Sequence, residues 1–463
     1  MSDYVAPTVA GMPTAQRIDA SAPRASKAAW FALWVLLAVL ILRWVDQVVM
    51  TIGMEPMRKA LALSDTQLGL VQGLGLTLTA AVGSVPLAWL ADRYDRRWVL
   101  AACIVFWSIA TAVRGFGQSF TMVMGSTIGM SLAEASLMPI AYAIIPSLFH
   151  GRQRATANLI FYAGGLLGYS VAMMLGGGVF AALEAHAATL PAILRDVEPW
   201  RMASFAVALL GPAFAALVIT IRDPQRARAQ GHAGKQAASK GDLLSYLRLH
   251  WRAVAGLYGA VALSAAALTP LMSWLPVAIA RRFALSPAEV GTQLGTVFLA
   301  ATVVGIAMSS VFNRLWGRRL GDMLPVRTAP YLTAFSAVPL ASFAFVGSIA
   351  VAYAAIFMVV VALIAFNAGM PVIYQGIAPG RVRARLTAGV VAIATLGSAL
   401  GPIVVGYLSN RMVHNDNALL IACAEIGVPL TLLSAVLMRW AAKPLQVTLE
   451  AVRLEDESTT RSL

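Results

Sequence analysis

Arg43, Asp46 and Gln47 stand at i, i+3 and i+4 within an otherwise apolar stretch, 29–53, so a helix sets all three on one face. A second polar stripe, Thr127, Ser131 and Glu134 followed by Met138, runs at helical spacing through the apolar stretch 121–147. An ionisable side chain at membrane depth costs about 2.5–3.5 kcal/mol on insertion scales, and such residues face a bundle interior or a wet cavity. Burial favours the protonated form of a carboxylate, and a neighbouring cation favours the ionised form. A carboxylate whose surroundings change between two conformations can therefore load a proton in one and release it in the other. Asp46 and Glu134, with Arg43 and Gln47, are the candidates for proton coupling and substrate contact. The same residues also fit a static Arg43–Asp46 pair that holds helices together, and spacing alone leaves both open.

The elements that must carry these residues are membrane helices. Of 463 residues 59% are hydrophobic and 12% charged, against about 25% charged in soluble globular chains. The mean hydropathy is +0.74. Such a chain exceeds what one soluble core can bury, and lipid is its natural solvent. Twelve stretches reach the roughly 20 apolar residues a crossing needs: 29–53, 67–90, 98–117, 121–147, 155–182, 200–221, 253–280, 290–312, 329–347, 349–377, 386–409 and 417–440. The fold class is thus an all-α membrane protein with 12 transmembrane helices. Cys103 and Cys423 fall inside spans and read as small buried hydrophobes, so neither a disulfide nor a metal site is expected. No cofactor is expected either.

Charge placement orients the chain. The two tails and every second connection carry 26 lysines and arginines, counting Arg439 with the C-terminal tail, while the opposite connections carry 6. By the positive-inside rule both termini are expected in the cytoplasm, at a bacterial inner membrane. The net charge of +14 is therefore assigned to the membrane surface and not to nucleic acid. Residues 1–28 have the composition of a disordered cytoplasmic tail with no cleavable signal. The basic segment 222–252 separates an N-terminal six-helix half, 29–221, from a C-terminal half, 253–441, and 442–463 is read as a cytoplasmic tail. Leu243, Leu244, Leu247 and Trp251 share a helical face with Arg248 and Arg252 nearby, which suggests a short interfacial helix at the end of that linker.

The two halves repeat each other. Ala88-Trp-Leu-Ala-Asp92-Arg93-Tyr-Asp95-Arg96-Arg97 is a tight charged turn between apolar spans, and Asn313-Arg314-Leu-Trp-Gly317-Arg318-Arg319 echoes it 221 residues later without the acid. Gly164-x-x-x-Gly168 and Gly397-x-x-x-Gly401 are 233 residues apart. Glycines four apart let helix backbones approach closely, and paired six-helix halves are the architecture of alternating-access transporters. Asp92, Arg93, Arg96, Arg97, Arg314 and Arg318 are candidates for a gate on the cytoplasmic side, with Asp92 suited to the positive N-terminal end of the eleventh span. The arginines also serve simple topological anchoring.

The charged hairpin resembles the signature loop of the major facilitator superfamily, Gly-x-x-x-Asp-Arg-x-Gly-Arg-Arg/Lys, departing from it at Ala88 and Asp95. With Asp92-Arg93-Tyr-x-Arg96-Arg97 followed by Phe106-Trp107-Ser108, it is similar to the Spinster-like branch. Leu63-Ser64-Asp65-Thr-Gln-Leu-Gly69-Leu, Ala133-Glu134-Ala135-Ser136, Trp200-Arg201 and Arg222-Asp223-Pro224 follow in the order that branch has. The resemblance implies that Asp46 and Glu134 occupy protonation and substrate-site positions, and that the cargo is amphiphilic. The chain departs where the family reads Asn-Tyr-x-Asp-Arg in its first span, here Arg43-Trp44-Val45-Asp46-Gln47. It departs again at Thr127 and at Ser147, where an Arg and the acidic partner of the hairpin are usual.

Thr127, Ser131, Tyr162, Trp274, Asn367, Tyr374 and Gln375 are the candidate cavity lining, the last three in a span interrupted by Pro371. Polarity concentrated in the first half and an apolar second half suit an amphiphile or an organic ion with an apolar body. No Gly-x-x-x-x-Gly-Lys-Ser/Thr and no nucleophile–base or metal-ligand set occurs, so neither ATP-driven transport nor an enzyme is expected. The expected function is proton-coupled secondary transport of a small-molecule substrate by rocker-switch alternating access, by a monomer. The alternatives are an organic-anion/proton symporter, in which Arg43 grips a carboxylate, and a non-transporting membrane receptor.

Overall fold

The computed structural model describes residues 25–189, 195–221, 240–321, 323–412 and 415–461. Most of the expected N-terminal tail and the linker segment 222–239 lie outside them, as do the side chains of Arg318, Pro371 and Gln375. Twelve helices are long and apolar enough to cross a membrane: Lys27–Ile52, Asp65–Arg93, Arg96–Gly115, Phe120–Leu148, Gln153–His186, Pro199–Ile219, Trp251–Phe283, Pro287–Gly317, Met323–Phe345, Ile349–Tyr374, Arg385–Arg411 and Ala418–Leu454. They are spans 1 to 12 below. No strand occurs among the described residues.

Local chemistry sets the span starts and breaks. Ser64 and Gln67 form a reciprocal capping box at the start of span 2, and Ser286 and Glu289 do the same for span 8. Asp95 caps span 3, its carboxylate accepting from the Arg97 amide at 3.1 Å. Span 4 is discontinuous: one helix ends at Glu134 and the next begins at Leu137. Pro139 lacks the N–H that would reach back to residue 135, so it fits the first turn of a new helix better than the interior of an old one. Span 2 contains a π-helical stretch, Val71–Leu78. Its Leu76 carbonyl accepts the Ser131 hydroxyl at 2.5 Å, which ties spans 2 and 4 together.

The duplicated glycine pairs do equivalent work in the two halves. Gly164 and Gly168 lie against Leu37 and Trp44 of span 1, where a Cβ on Gly168 would come within 2.6 Å of the indole. Gly397 and Gly401 lie against Ala262, Ala266 and Pro270 of span 7. Spans 5 and 11 therefore back onto the first span of their own half through the same small-residue device.

Among the described residues the two halves meet through spans 2 and 11 and spans 5 and 8, towards the end away from the charged hairpins. Span 2 packs through Gly69 and Gly73 on Ala399, Pro402 and Ile403 of span 11, and span 5 packs through Gly177 on Ala288, Gly291 and Thr292 of span 8. Trp274 donates its indole N–H to the Pro402 carbonyl at 3.0 Å, and Tyr169 its hydroxyl to the Met272 carbonyl at 2.8 Å. Beyond these contacts spans 2 and 11 part, leaving Val82, Val85, Val391 and Leu396 exposed. The open side carries the charged hairpins.

Two segments flank the second half as helices. Residues 442–461 of the expected cytoplasmic tail continue span 12 in one 44-residue helix, Ala418–Arg461. Leu445, Leu449 and Val452 recur at helical spacing on its buried face and keep it wound past the bilayer. The helix Lys240–Leu249 precedes span 7, and its Tyr246 is buried against the same cluster, donating to the Ile377 carbonyl.

The glycine seam gives a direct test. A Cβ on Gly177 would lie 2.8 to 2.9 Å from backbone atoms of span 8, so Gly177→Leu forces the closed side apart. Labelling of an Ala288→Cys reporter by a membrane-impermeant thiol reagent should rise several-fold in that background. Unchanged labelling would show that this seam does not close the two halves.

Candidate functional site

Four charged side chains from spans 1, 3 and 4 meet at the middle of the first half. Asp46 is fully buried and accepts a hydrogen bond from Arg114 Nη2 at 2.6 Å and another from the Thr111 hydroxyl at 2.5 Å. Both donors come from one face of span 3, three residues apart. Arg114 also reaches the Met130 sulfur at 3.1 Å. Beside this pair, Arg43 Nε lies 3.3 Å from Glu134 Oε2. Two carboxylates and two guanidiniums thus form a compact neutral group, which is the only economical way to hold four charges in a low-dielectric interior.

The two pairs are not equivalent. Both Asp46 oxygens are occupied by fixed donors. Glu134 Oε1 is buried with no hydrogen-bond partner, and so is the Gln47 side-chain oxygen. Glu134 sits at the end of its half-helix, and Arg43 retains 21% side-chain exposure with its guanidinium 4.9 Å from the Trp44 ring. Among the described residues each pair leaves one buried atom without a partner, Arg114 Nε in one and Glu134 Oε1 in the other, but only the Glu134–Arg43 contact has a partly exposed member.

Several expectations are corrected here. Arg43 and Asp46 share a face, but Asp46 pairs with Arg114 from span 3 and Arg43 pairs with Glu134. Arg114, near the end of span 3, is the member of the site that sequence reasoning missed. The available signal was Thr111 three residues before it on the same face. Trp274 is no cavity wall: it is 0% exposed and bonded to span 11. Thr127 and Ser131 are buried, with hydroxyls committed to the Val123 and Leu76 carbonyls. Tyr162 and Asn367 are exposed, the Asn367 amide donating to its own helix at Leu363 O over 2.9 Å. Tyr374 is half-buried. Gln375 has its side chain outside the described residues.

The hairpins face the open side. Asp92 is exposed, and Arg93 is exposed with its guanidinium 4.0 Å from the Trp89 ring. Arg96 donates to the Ala143 carbonyl at 3.2 Å, and Arg97 to Asp95 and to the Ile221 carbonyl at 3.1 Å. These two arginines bind the hairpin to its own half. Arg314 is exposed, and the side chain of Arg318 lies outside the described set.

The closed side holds an ion-pair cluster that the loop assignment of its residues hid. Arg281 of span 7 donates to both oxygens of Asp65 at 2.9 Å and to Glu55 at 2.8 Å, and Ser409 of span 11 donates to Asp65 at 2.8 Å. Every one of these bonds crosses between the halves. Arg58 adds a second contact to Glu55 at 2.9 Å within the first half. Burial alone would raise the Glu55 carboxyl, but hydrogen bonds and charge from Arg58 and Arg281 outweigh it and hold that carboxyl below its usual range.

Twelve spans in two half-bundles, closed on one side around a central buried charge group, define the class of alternating-access membrane proteins. The sequence model of the Major Facilitator Superfamily matches residues 35–402, and the chain belongs to that family. An MFS-type efflux pump of Mycolicibacterium smegmatis is 28% identical over 295 residues, covering 63% of each chain. Protein spinster of Drosophila melanogaster is 23% identical over 328 residues, 69% of this chain and 51% of the fly protein. The matches thus span about half to two-thirds of these relatives' lengths. The fold is shared with a bacterial homologue of the human lysosomal transporter Spinster in an inward-facing, unoccupied conformation. That match has a TM-score of 0.71 and 21% identity over 94% of this chain and 99% of the other.

Removing one partner of a buried pair leaves an uncompensated charge at about 3–5 kcal/mol. Arg114→Gln should therefore lower the melting temperature in detergent well below that of Arg43→Gln, and Arg114→Gln with Asp46→Asn should recover part of the loss. Equal melting of the two single variants would remove Arg114 from its anchoring role. On the closed side, the ionised Glu55 contact is fully present above the ordinary carboxylate range and is lost as pH falls through the lowered value. Ala288→Cys labelling should stay flat from neutral pH down to about 5 and rise only below it. A rise already between pH 7 and 6 would exclude Glu55 as the titrating contact.

Proposed function

We propose that the protein is a proton-coupled secondary active transporter for a small organic anion or an amphiphile with an anionic head. Glu134 carries the proton and Arg43 takes the substrate's negative charge. The carrying observation is the asymmetry of the charge group: Glu134 has one orphaned buried oxygen and one oxygen shared with a partly exposed Arg43. An anion that engages Arg43 weakens its hold on Glu134. A proton on Glu134 then restores neutrality, so loading one favours loading the other. That logic is symport, and it carries no net charge into the bundle centre for a monoanionic substrate. Asp46, held by Arg114 and Thr111, acts as a positioning residue that fixes spans 1 and 3 around the exchange.

Alternating access follows from rigid halves and exchangeable contacts between them. In the state described, the glycine seams and the Arg281 cluster close one side. In the opposite state Asp92 docks at the start of span 11, with Arg93, Arg314 and Arg318 on the same face, while Arg96 and Arg97 keep the first hairpin fixed to its half. The lysine and arginine asymmetry supports a cytoplasmic location for the open side and both termini, in a bacterial inner membrane. The apolar side chains that span 11 exposes, Val391, Leu396 and Leu400, support an apolar body on the substrate.

In proteoliposomes with an imposed pH gradient, Glu134→Gln should abolish proton-driven accumulation while keeping substrate exchange across the membrane. Arg43→Gln should raise the KM for anionic substrates about tenfold or more, the loss expected for a charge-assisted contact of about 1.5–3 kcal/mol. Gradient-driven accumulation by Glu134→Gln at the wild-type rate would overturn the coupling assignment. Flux of neither lipid-like nor carboxylate substrates under any gradient would favour a receptor.

A further inference from the structure

Between the hairpin-side ends of spans 9 and 12 lies a recess of about 380 Å³, lined by none of the residues of the central charge group or of the Arg281 cluster. Span 9 presents Arg327 and Tyr331 to it, and span 12 presents Arg439, Lys443 and Gln446. Arg327 and Tyr331 are four residues apart, and Arg439, Lys443 and Gln446 follow at four and three, so each helix offers one face. No aspartate or glutamate is among the described residues lining it, and the acid beside it, Glu450, accepts from the Gln446 amide at 3.2 Å. Arg327, Arg439 and Lys443 are exposed and make no hydrogen bond or ion pair among the described residues. Three cations gathered with no ion-pair partner among the described residues repel one another, and an anion from outside the chain relieves that repulsion.

The helix faces on the membrane side of the recess say which anion. Phe335 and Val338 continue the Arg327–Tyr331 stripe of span 9 towards the bilayer centre, and Val436 and Leu432 continue the Arg439–Lys443 stripe of span 12. All four are exposed, Val338 at 70% and Val436 at 62%. Cationic at the water boundary and apolar below it, on two adjacent helices, is the layout of a diacyl lipid with a negative head. A soluble anion has no use for the apolar half. Topological anchoring needs basic residues near span ends, but it does not need them to converge on one recess.

We propose that this recess is a binding site for the phosphate headgroup of an anionic phospholipid of the cytoplasmic leaflet. Arg327, Arg439 and Lys443 hold the phosphate, Tyr331 supplies a neutral hydrogen bond, Gln446 keeps Glu450 engaged, and the acyl chains lie along the two apolar stripes. The site is independent of the central charge group and of the substrate reading.

The test compares purified full-length protein with phosphatidylglycerol, phosphatidylcholine or inorganic phosphate, scored by native mass spectrometry and by thermal stabilisation. Wild type should bind phosphatidylglycerol at least tenfold more tightly than phosphatidylcholine, and inorganic phosphate should not compete. Each basic residue near an anionic leaflet contributes about 1 kcal/mol, so each neutralised cation should weaken phosphatidylglycerol about fivefold, and the triple variant R327Q/R439Q/K443Q about a hundredfold. Unchanged melting of that variant in phosphatidylcholine shows that it is folded, and K443Q alone supplies the reading if it is not. Lys27→Gln, Arg248→Gln and Arg252→Gln together remove the same net charge elsewhere and should keep the preference. Retained phosphatidylglycerol preference in the triple variant, equal loss in the control, or competition by inorganic phosphate would each overturn the proposal.

Discussion

The contact between Asp46 and Arg114 at 2.6 Å is the constraint on which the first half is built. A buried carboxylate and guanidinium need each other as partners, and here the pair is completed by span 3 although Arg43 lies three residues from Asp46 on span 1. Once Asp46 is satisfied on both oxygens, Arg43 is released to face Glu134. That division separates a carboxylate held on both oxygens from one held on a single oxygen within one cluster. It also explains why the two acids, similar in the sequence, differ in chemistry: one is saturated by fixed donors and the other has an oxygen left over.

The same economy governs the contacts between halves. Where they meet, close backbone approach at glycines excludes lipid and water, and Arg281 gathers Glu55 and Asp65 from the other half into one polar knot. Where they part, the charged hairpins stand in solvent. Dispersion contacts between rigid helices are numerous and weak, so a few charge-assisted bonds at the rim decide which side closes.

Local rules carried a good part of this architecture. Twelve spans and the two-half repeat are legible from apolar length and glycine spacing, and helical periodicity marks the polar faces that carry Arg43 and Glu134. Periodicity reports which residues share a face, but not which helix that face meets. Asp46 and Arg114 are 68 residues apart in the chain, and their partnership depends on how spans 1 and 3 are rotated. Arg281 and Asp65 were hidden for another reason: both sit at span ends, where charge is ordinary. Trp274 has the amphipathic ring expected of a cavity wall, yet Gly406 beside it leaves a slot that the indole fills. The buried stripe of Leu445, Leu449 and Val452 has the right spacing, but its neighbours, among them Gly376 beside Leu449, are far away in the chain and no local rule names them.

The helix Ala418–Arg461 has a mechanical consequence. At 1.5 Å per residue it is about 66 Å long, roughly twice the thickness of the hydrocarbon layer it crosses. Its outer end therefore projects as a long pointer, packed on the second half as far as Leu449. A tilt of that half by a few degrees, hardly visible at the charge cluster, is multiplied by the pointer's length into a displacement of several ångströms at its tip. A spectroscopic probe placed there would see the rocking of the molecule in magnified form, without touching the cavity.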